Sequence, residues 1–156
     1  MPTYISPAGH KKIVEEYNEL LHKERPRITA EVAYAASLGD RSENSEYLYG
    51  KKRLREIDKR LHFLQKRLEG IEVVDPTKFS GDAVRFGAIV DIEDEEGNTQ
   101  RWTILGEDEV DMERHILSYN APLGRALLSR KVGDTVAFET PKGRREVTLI
   151  GVSYPR

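Results

Sequence analysis

Apolar residues recur every seven positions through the second quarter of the chain. Tyr47, Leu54, Leu61 and Leu68 form one series, and Ile57, Leu64 and Ile71 form a second, three places later. This spacing puts both series on one stripe of an α-helix and predicts an a/d seam. A weaker spine of the same period, Val14, Leu21, Ile28 and Ala35, precedes it. Two helices with apolar seams and a short connection are predicted to fold back as an antiparallel hairpin. The connection is Ser37-Leu38-Gly39-Asp40-Arg41-Ser42-Glu43-Asn44-Ser45-Glu46, the tip of a helical rod. A helix of ~28–30 residues rising 1.5 Å per residue gives a rod of roughly 45 Å.

The first helix is predicted over residues 6–38. Ser6-Pro7 supplies a cap and then a proline at the first helical position, where its missing N–H costs nothing. Pro26 interrupts the pattern and predicts a kink near Arg25-Pro26, with helix resuming at Ile28. Ala30, Ala33, Ala35 and Ala36 are small enough to let two helices approach closely, and Gly39 suits the position that ends a helix. The second helix is predicted to start near Asp40 to Ser42 and to run to Glu69, with Gly70 ending it.

Turn signals at Asp75-Pro76 and Ser80-Gly81 mark a boundary, and from Asp82 onward the period becomes that of strands. Strands are predicted over 83–92, 99–105, 115–117, 135–139 and 144–152, with a hairpin turn at residues 94–98 and one short helix over 122–128. Val84, Phe86, Ile89, Trp102, Ile104, Leu127, Val136, Phe138, Val147 and Leu149 are the predicted core. The chain thus reads as α+β: an N-terminal antiparallel coiled-coil hairpin, residues 1–75, followed by a β-rich domain with one short helix, residues 76–156.

Composition adds exclusions. The 156 residues are 33% charged, which suits a long exposed hairpin beside a small core. Without cysteine there is no disulfide framework or thiolate metal site, as expected of a cytoplasmic protein. No run of 18 apolar residues is present, and Met1-Pro2-Thr3-Tyr4 lacks the features of a signal peptide, so no membrane partner is expected. The net charge of −2 hides an asymmetry. Between positions 51 and 67, Lys51, Lys52, Arg53, Arg55, Lys59, Arg60, Lys66 and Arg67 face only two acids, Glu56 and Asp58. Solvated helix faces usually mix signs, so this excess points to an anion, nucleic-acid phosphate first.

Self-contained enzyme motifs are absent: no glycine-rich phosphate loop, no nucleophile elbow, no His pair at zinc spacing. The four histidines are scattered, and the acid run Asp91, Glu93, Asp94, Glu95, Glu96 lacks calcium-loop spacing and reads as a hairpin tip. Asp40 and Glu43 admit two readings. Asp40-Arg41-Ser42-Glu43 has the form of a helix capping box. Equally, two hard oxygen ligands on an exposed tip suit a magnesium ion whose remaining ligands come from a partner.

The tip Ala36-Ser37-Leu38-Gly39-Asp40-Arg41-Ser42-Glu43-Asn44-Ser45-Glu46-Tyr47, together with the run from Lys51 to Arg60, Pro26 after Glu24-Arg25, and Arg125-Ala126-Leu127-Leu128, resembles the bacterial Gre transcript-cleavage factors, closest to their B type. The resemblance covers essentially the whole chain. It implies a C-terminal domain similar to FK506-binding proteins that docks at the rim of the secondary channel of RNA polymerase. It implies a coiled coil that passes down that channel. There Asp40 and Glu43 would help hold a magnesium ion shared with the polymerase, and backtracked RNA would be hydrolysed. Lys51, Lys52, Arg53, Arg55, Lys59 and Arg60 would steer the nascent RNA 3′ segment. No small-molecule substrate and no catalysis by the isolated chain are implied. The family's docking loop usually reads Ser-Pro, often after an acid; here it is Asn120-Ala121-Pro122. The alternative is a regulator that occupies the channel without promoting cleavage.

Overall fold

A computed structural model describes residues 3–39 and 44–156. The chain separates into two compact units, Lys11–Gly70 and a second made of residues 3–10 with Ile71–Arg156.

The helical unit contains most of α1 (Pro7–Glu19), a π-helical turn (Leu20–Glu24), α2 (Arg25–Ser37) and α3 (Ser45–Gly70). The kink expected at Pro26 takes the form of that π turn. Proline cannot donate a hydrogen bond, and its ring crowds the carbonyl four residues back. Widening the preceding turn relieves both. The Arg25 amide donates to the Leu20 carbonyl, and Glu24 and Arg25 keep helical dihedrals, so helix resumes at Arg25 and not at Ile28. The turn absorbs one extra residue, which shifts the seam. Ile13, Leu20, Ile28 and Ala35 are buried, at steps of seven, eight and seven. Val14 and Leu21, the expected seam positions before the turn, are half-buried.

α3 buries Gly50, Ile57, Leu61 and Leu64 and half-buries Tyr47, Leu54 and Leu68, as the heptads predict. Its 26 residues span about 39 Å. The pairing is antiparallel: Asn44 Nδ2 donates to the Ala35 carbonyl at 2.7 Å, and Asp58 pairs with Arg25. Gly50 permits close approach, because a Cβ there would overlap Val32 Cγ2. Gly39, just past the cap residue Leu38, has a φ of 145°.

In the other unit, a five-stranded sheet has the order β5-β4-β3-β7-β6. Its strands are β3 (Ile89–Asp94), β4 (Thr99–Leu105), β5 (Ile116–Ser118), β6 (Thr135–Thr140) and β7 (Gly143–Ser153). All neighbours are antiparallel except β4 and β5. The predicted strand over 83–92 is confined to its end. Residues 83–88 run irregularly, and β3 turns Val90 and Ile92 inward, leaving Ile89 half-buried. The core joins these to Val84, Ala88, Ile104, Leu117, Leu127, Val136, Val147 and Leu149. Trp102 and Phe138 pack partly against it, and Phe86 joins Tyr4 and Tyr119 in an aromatic cluster with centroids 5.6–6.3 Å apart. The acid run is a hairpin tip: Asp94 Oδ1 accepts from the amides of Glu96 and Asn98, which holds its carboxyl below the usual range.

β1 (Thr3–Ile5) pairs in parallel with β2 (Ile71–Val73), tying the start of the chain to the β-rich unit. Ser6 caps α1 as predicted, its Oγ accepting from the Gly9 amide at 3.1 Å. Ser6 is held in turn by Glu109, whose carboxylate accepts from the Ser6 amide at 3.1 Å, from its hydroxyl, and from the Gly106 amide at 2.9 Å.

Replacing Gly50 by alanine tests the helix approach. Overpacking against Val32 should lower stability by about 1–3 kcal/mol, despite alanine's better helix propensity of about 1 kcal/mol. Adding Val32→Ala should recover most of the loss. Thermal unfolding followed by far-ultraviolet dichroism reads both; a rise in the single variant would contradict the packing.

Candidate nucleic-acid interface

Asp40 and Glu43 lie outside the described residues. The helix that follows them begins at Ser45, and its cap is Asn44, whose Oδ1 accepts from the Tyr47 amide at 3.1 Å. The capping-box reading of residues 40–43 lies outside the described residues. Among the described residues no group of three or more His, Cys, Asp or Glu side chains could hold a metal.

The basic run divides into two sets. At 100° per residue, Lys51, Lys52, Arg55 and Lys59 fall within one outward sector of α3, opposite the buried Gly50, Ile57 and Leu61. All four are exposed and have no ion pair among the described residues. Lys66 extends the sector, 4.0 Å from Glu69. The other two of the predicted six, Arg53 and Arg60, are turned toward the first helical strand. Arg53 reaches Glu24, with its Nε 2.8 Å from Oε1, and also Glu56 at 3.3 Å. Arg60 forms a two-point pair with Glu16 at 2.6 and 2.9 Å. A third cross-helix pair, Arg25 with Asp58 at 2.7 and 3.3 Å, runs in the opposite sense. Hydrogen bonding to Arg60 lowers the Glu16 pKa, and hydrogen bonding to Arg25 lowers that of Asp58. These arginines lock the pairing of the two helical strands, while the lysines and Arg55 leave a cationic strip open to an anion.

Two further residues of this region were missed from the sequence. Tyr34 on α2 and Tyr49 on α3 line one groove with Ala30, Glu31, Ser45 and Glu46. Both lie off the heptad positions, and each sits five residues from an end of the 39–44 stretch. Aromatic residues outside a seam, mirrored about a hairpin tip, are the signal that could have found them.

Asn120, Ala121 and Pro122 come together in the β-rich unit as the start of α4 (Pro122–Leu127). Ala121 gives no side-chain cap, and Pro122 occupies the first turn. Asn120 Nδ2 donates to Glu107 Oε1 at 2.6 Å, so a carboxylate sits beside this loop although none precedes it in sequence. Gly124 lets α4 lie against the strand before it; a Cβ there would overlap the Ser118 carbonyl oxygen.

Two family models match. "Transcription elongation factor, N-terminal" covers residues 3–73, and "Transcription elongation factor, GreA/GreB, C-term" covers residues 79–154. Transcription elongation factor GreB of Neisseria meningitidis serogroup B is 46% identical over 152 residues, 97% of this chain and 93% of that protein. GreB of Pseudomonas aeruginosa is 44% identical over 151 residues, 97% and 90% of the two. Among solved structures, the GreA factor homolog Gfh1 of Thermus thermophilus aligns over 97% of this chain and 99% of its own, at 21% identity and a TM-score of 0.45.

The cross-helix pairs carry a pH signature. Glu16 and Asp58 hold their protons less tightly in the folded hairpin than at their ordinary values of 4.5 and 3.8. Their contribution is complete above those values and is lost as pH falls through the lowered folded ones. The melting temperature should therefore fall on acidification below about pH 4.5, and Glu16→Gln with Asp58→Asn should make that decline shallower. An equally steep decline in the double variant would remove these pairs as its cause.

Proposed function

We infer that this chain, which belongs to the GreA/GreB family of transcription elongation factors, binds RNA polymerase as an accessory factor and stimulates hydrolysis of backtracked nascent RNA. The observation that carries this reading is the outward strip of Lys51, Lys52, Arg55 and Lys59, without counter-ions among the described residues, while Arg53 and Arg60 hold the hairpin together. A strip of unpaired cations on one helix face is suited to a single strand of phosphates, whose binding it strengthens by releasing counterions. In this reading the strip guides the extruded 3′ segment of the RNA through the secondary channel, in the cytoplasm, and the Asn120-Ala121-Pro122 loop with Glu107 takes part in docking on the polymerase.

The tip residues Asp40 and Glu43 are proposed to hold a magnesium ion jointly with the polymerase. Their donor chemistry fits: carboxylate oxygens are hard ligands, and this ion accepts few of them from one protein. Two acids make an incomplete site, whose remaining ligands would come from the polymerase and from water. When bound, such an ion lowers the pKa of a coordinated water and stabilises charge on the phosphoryl oxygens. The chain's own part is to supply the two carboxylates and to hold the RNA phosphates nearby.

The test is RNA cleavage in stalled elongation complexes. Asp40→Asn with Glu43→Gln should slow cleavage by about a hundredfold while leaving polymerase binding intact. Alanine at Lys51, Lys52, Arg55 and Lys59 together should slow it by about tenfold, more at higher salt. Wild-type protein that binds polymerase but leaves the RNA intact would select the non-cleaving reading, and unchanged cleavage in the carboxylate variant would sink the metal role.

A further inference from the structure

The groove between α2 and α3 carries chemistry that neither the cation strip nor the tip carboxylates use. It has a volume of about 740 Å3 and is lined by Ala30, Glu31, Tyr34, Ser45, Glu46 and Tyr49, within the range of about 300–1,000 Å3 typical of small-ligand sites. Tyr34 is 66% exposed and Tyr49 68% exposed. Neither ring nor hydroxyl has a partner among the described residues, so the two aromatic faces are not spent on the hairpin's own packing. The close contact between Gly50 and Val32 and the bond from Asn44 to Ala35 fix the two helices at this level, and so fix the backbone from which both tyrosines project.

Charge separates the groove from its surroundings. Its own ionisable groups are Glu31, which Arg27 engages at 2.9 Å, and Glu46. Phosphate is disfavoured there. One turn along α3 from Tyr49 the sign reverses at Lys52, where the exposed cation strip runs. An aromatic, acid-lined groove beside a cationic strip is complementary to a nucleotide: a neutral base with amino edges on one side, its phosphate on the other. Stacking on aromatic side chains tolerates any base, since every base has a π-face, and a carboxylate accepts from an exocyclic amine.

We propose that this groove is a subsite for one unpaired nucleobase of the RNA whose phosphates lie on the strip, with Tyr34 and Tyr49 as its stacking faces and Glu46 as an acceptor for a base amine. The proposal rests on the RNA-guiding reading above and adds to it a contact to a base where that reading has contacts only to phosphate.

The experiment is transcript cleavage in elongation complexes backtracked by a defined length, with the extruded RNA carrying an abasic residue at successive positions. Wild-type protein should lose about tenfold in cleavage rate when one particular extruded position is abasic. Tyr34→Ala with Tyr49→Ala should show about the same loss on intact RNA and no further loss at that position. Phenylalanine at both sites should retain the wild-type rate within about twofold, and leucine at both should not. Polymerase affinity, measured by competition, should be unchanged, and helical dichroism should match wild type because both side chains are exposed. Wild-type cleavage that ignores abasic residues at every position overturns the subsite and leaves the proposed function standing; so does a full rescue by leucine, which would mean apolar packing. Wild-type protein that stimulates no cleavage at all overturns both.

Discussion

Pro26 has no amide hydrogen to give, and its ring occupies space that the carbonyl of His22 would need in a regular helix. The chain answers with a π turn over Leu20–Glu24, and that single extra residue decides how the two helical strands meet. Without it the apolar stripe would run through Val14 and Leu21. With it Ile13 and Leu20 face α3. The same shift belongs to the pairing that brings Glu16 to Arg60 and Glu24 to Arg53. Apolar seam and ion pairs agree on one register, so neither can slip without cost to the other.

That register sorts the cations of α3. Arg53 and Arg60 are drawn across the hairpin by carboxylates on the first strand, in pairs whose partly exposed setting makes them modest in energy but specific in geometry. Lys51, Lys52, Arg55 and Lys59 face away from the seam, exposed and without an ion pair among the described residues. Arginine's planar fork suits the pairing role, and lysine's compact ammonium on a flexible stem suits a phosphate chain that moves past it. One helix thus carries its paired and its exposed charges on different faces.

The β-rich unit shows a parallel division of labour. Its sheet core is assembled from Val84 onward, yet the unit is completed by the first strand of the chain. Tyr4 packs its ring at a tilt against Phe86 and Tyr119, its amide donates to the Tyr119 hydroxyl at 3.0 Å, and Glu109 gathers three donors from Ser6 and Gly106. The cap of α1 is thereby part of the β-rich unit's hydrogen bonding. The Asn120–Glu107 contact likewise joins two segments, giving the loop before α4 a carboxylate that its own sequence lacks.

Period and turn chemistry act over a few residues, so the sequence alone settled what they control: the heptad helix ending at Gly70, the hairpin at Asp94 to Asn98, β4 to the residue, the short helix after Ala121, and the basic run itself. It also carried the tip motif, as letters without geometry. Contacts between distant residues were decided only by the tertiary structure. A seam step of eight cannot be seen until the partner helix shows which side of Leu20 is buried. β1 pairs with a strand 68 residues away; three residues carry too little pattern to announce such a pairing. The split of six predicted cations into two paired across the hairpin and four with no ion pair among the described residues depends on which carboxylates the opposing helix brings within reach. Coulomb and hydrogen-bond forces act across space, and distance along the chain does not encode them.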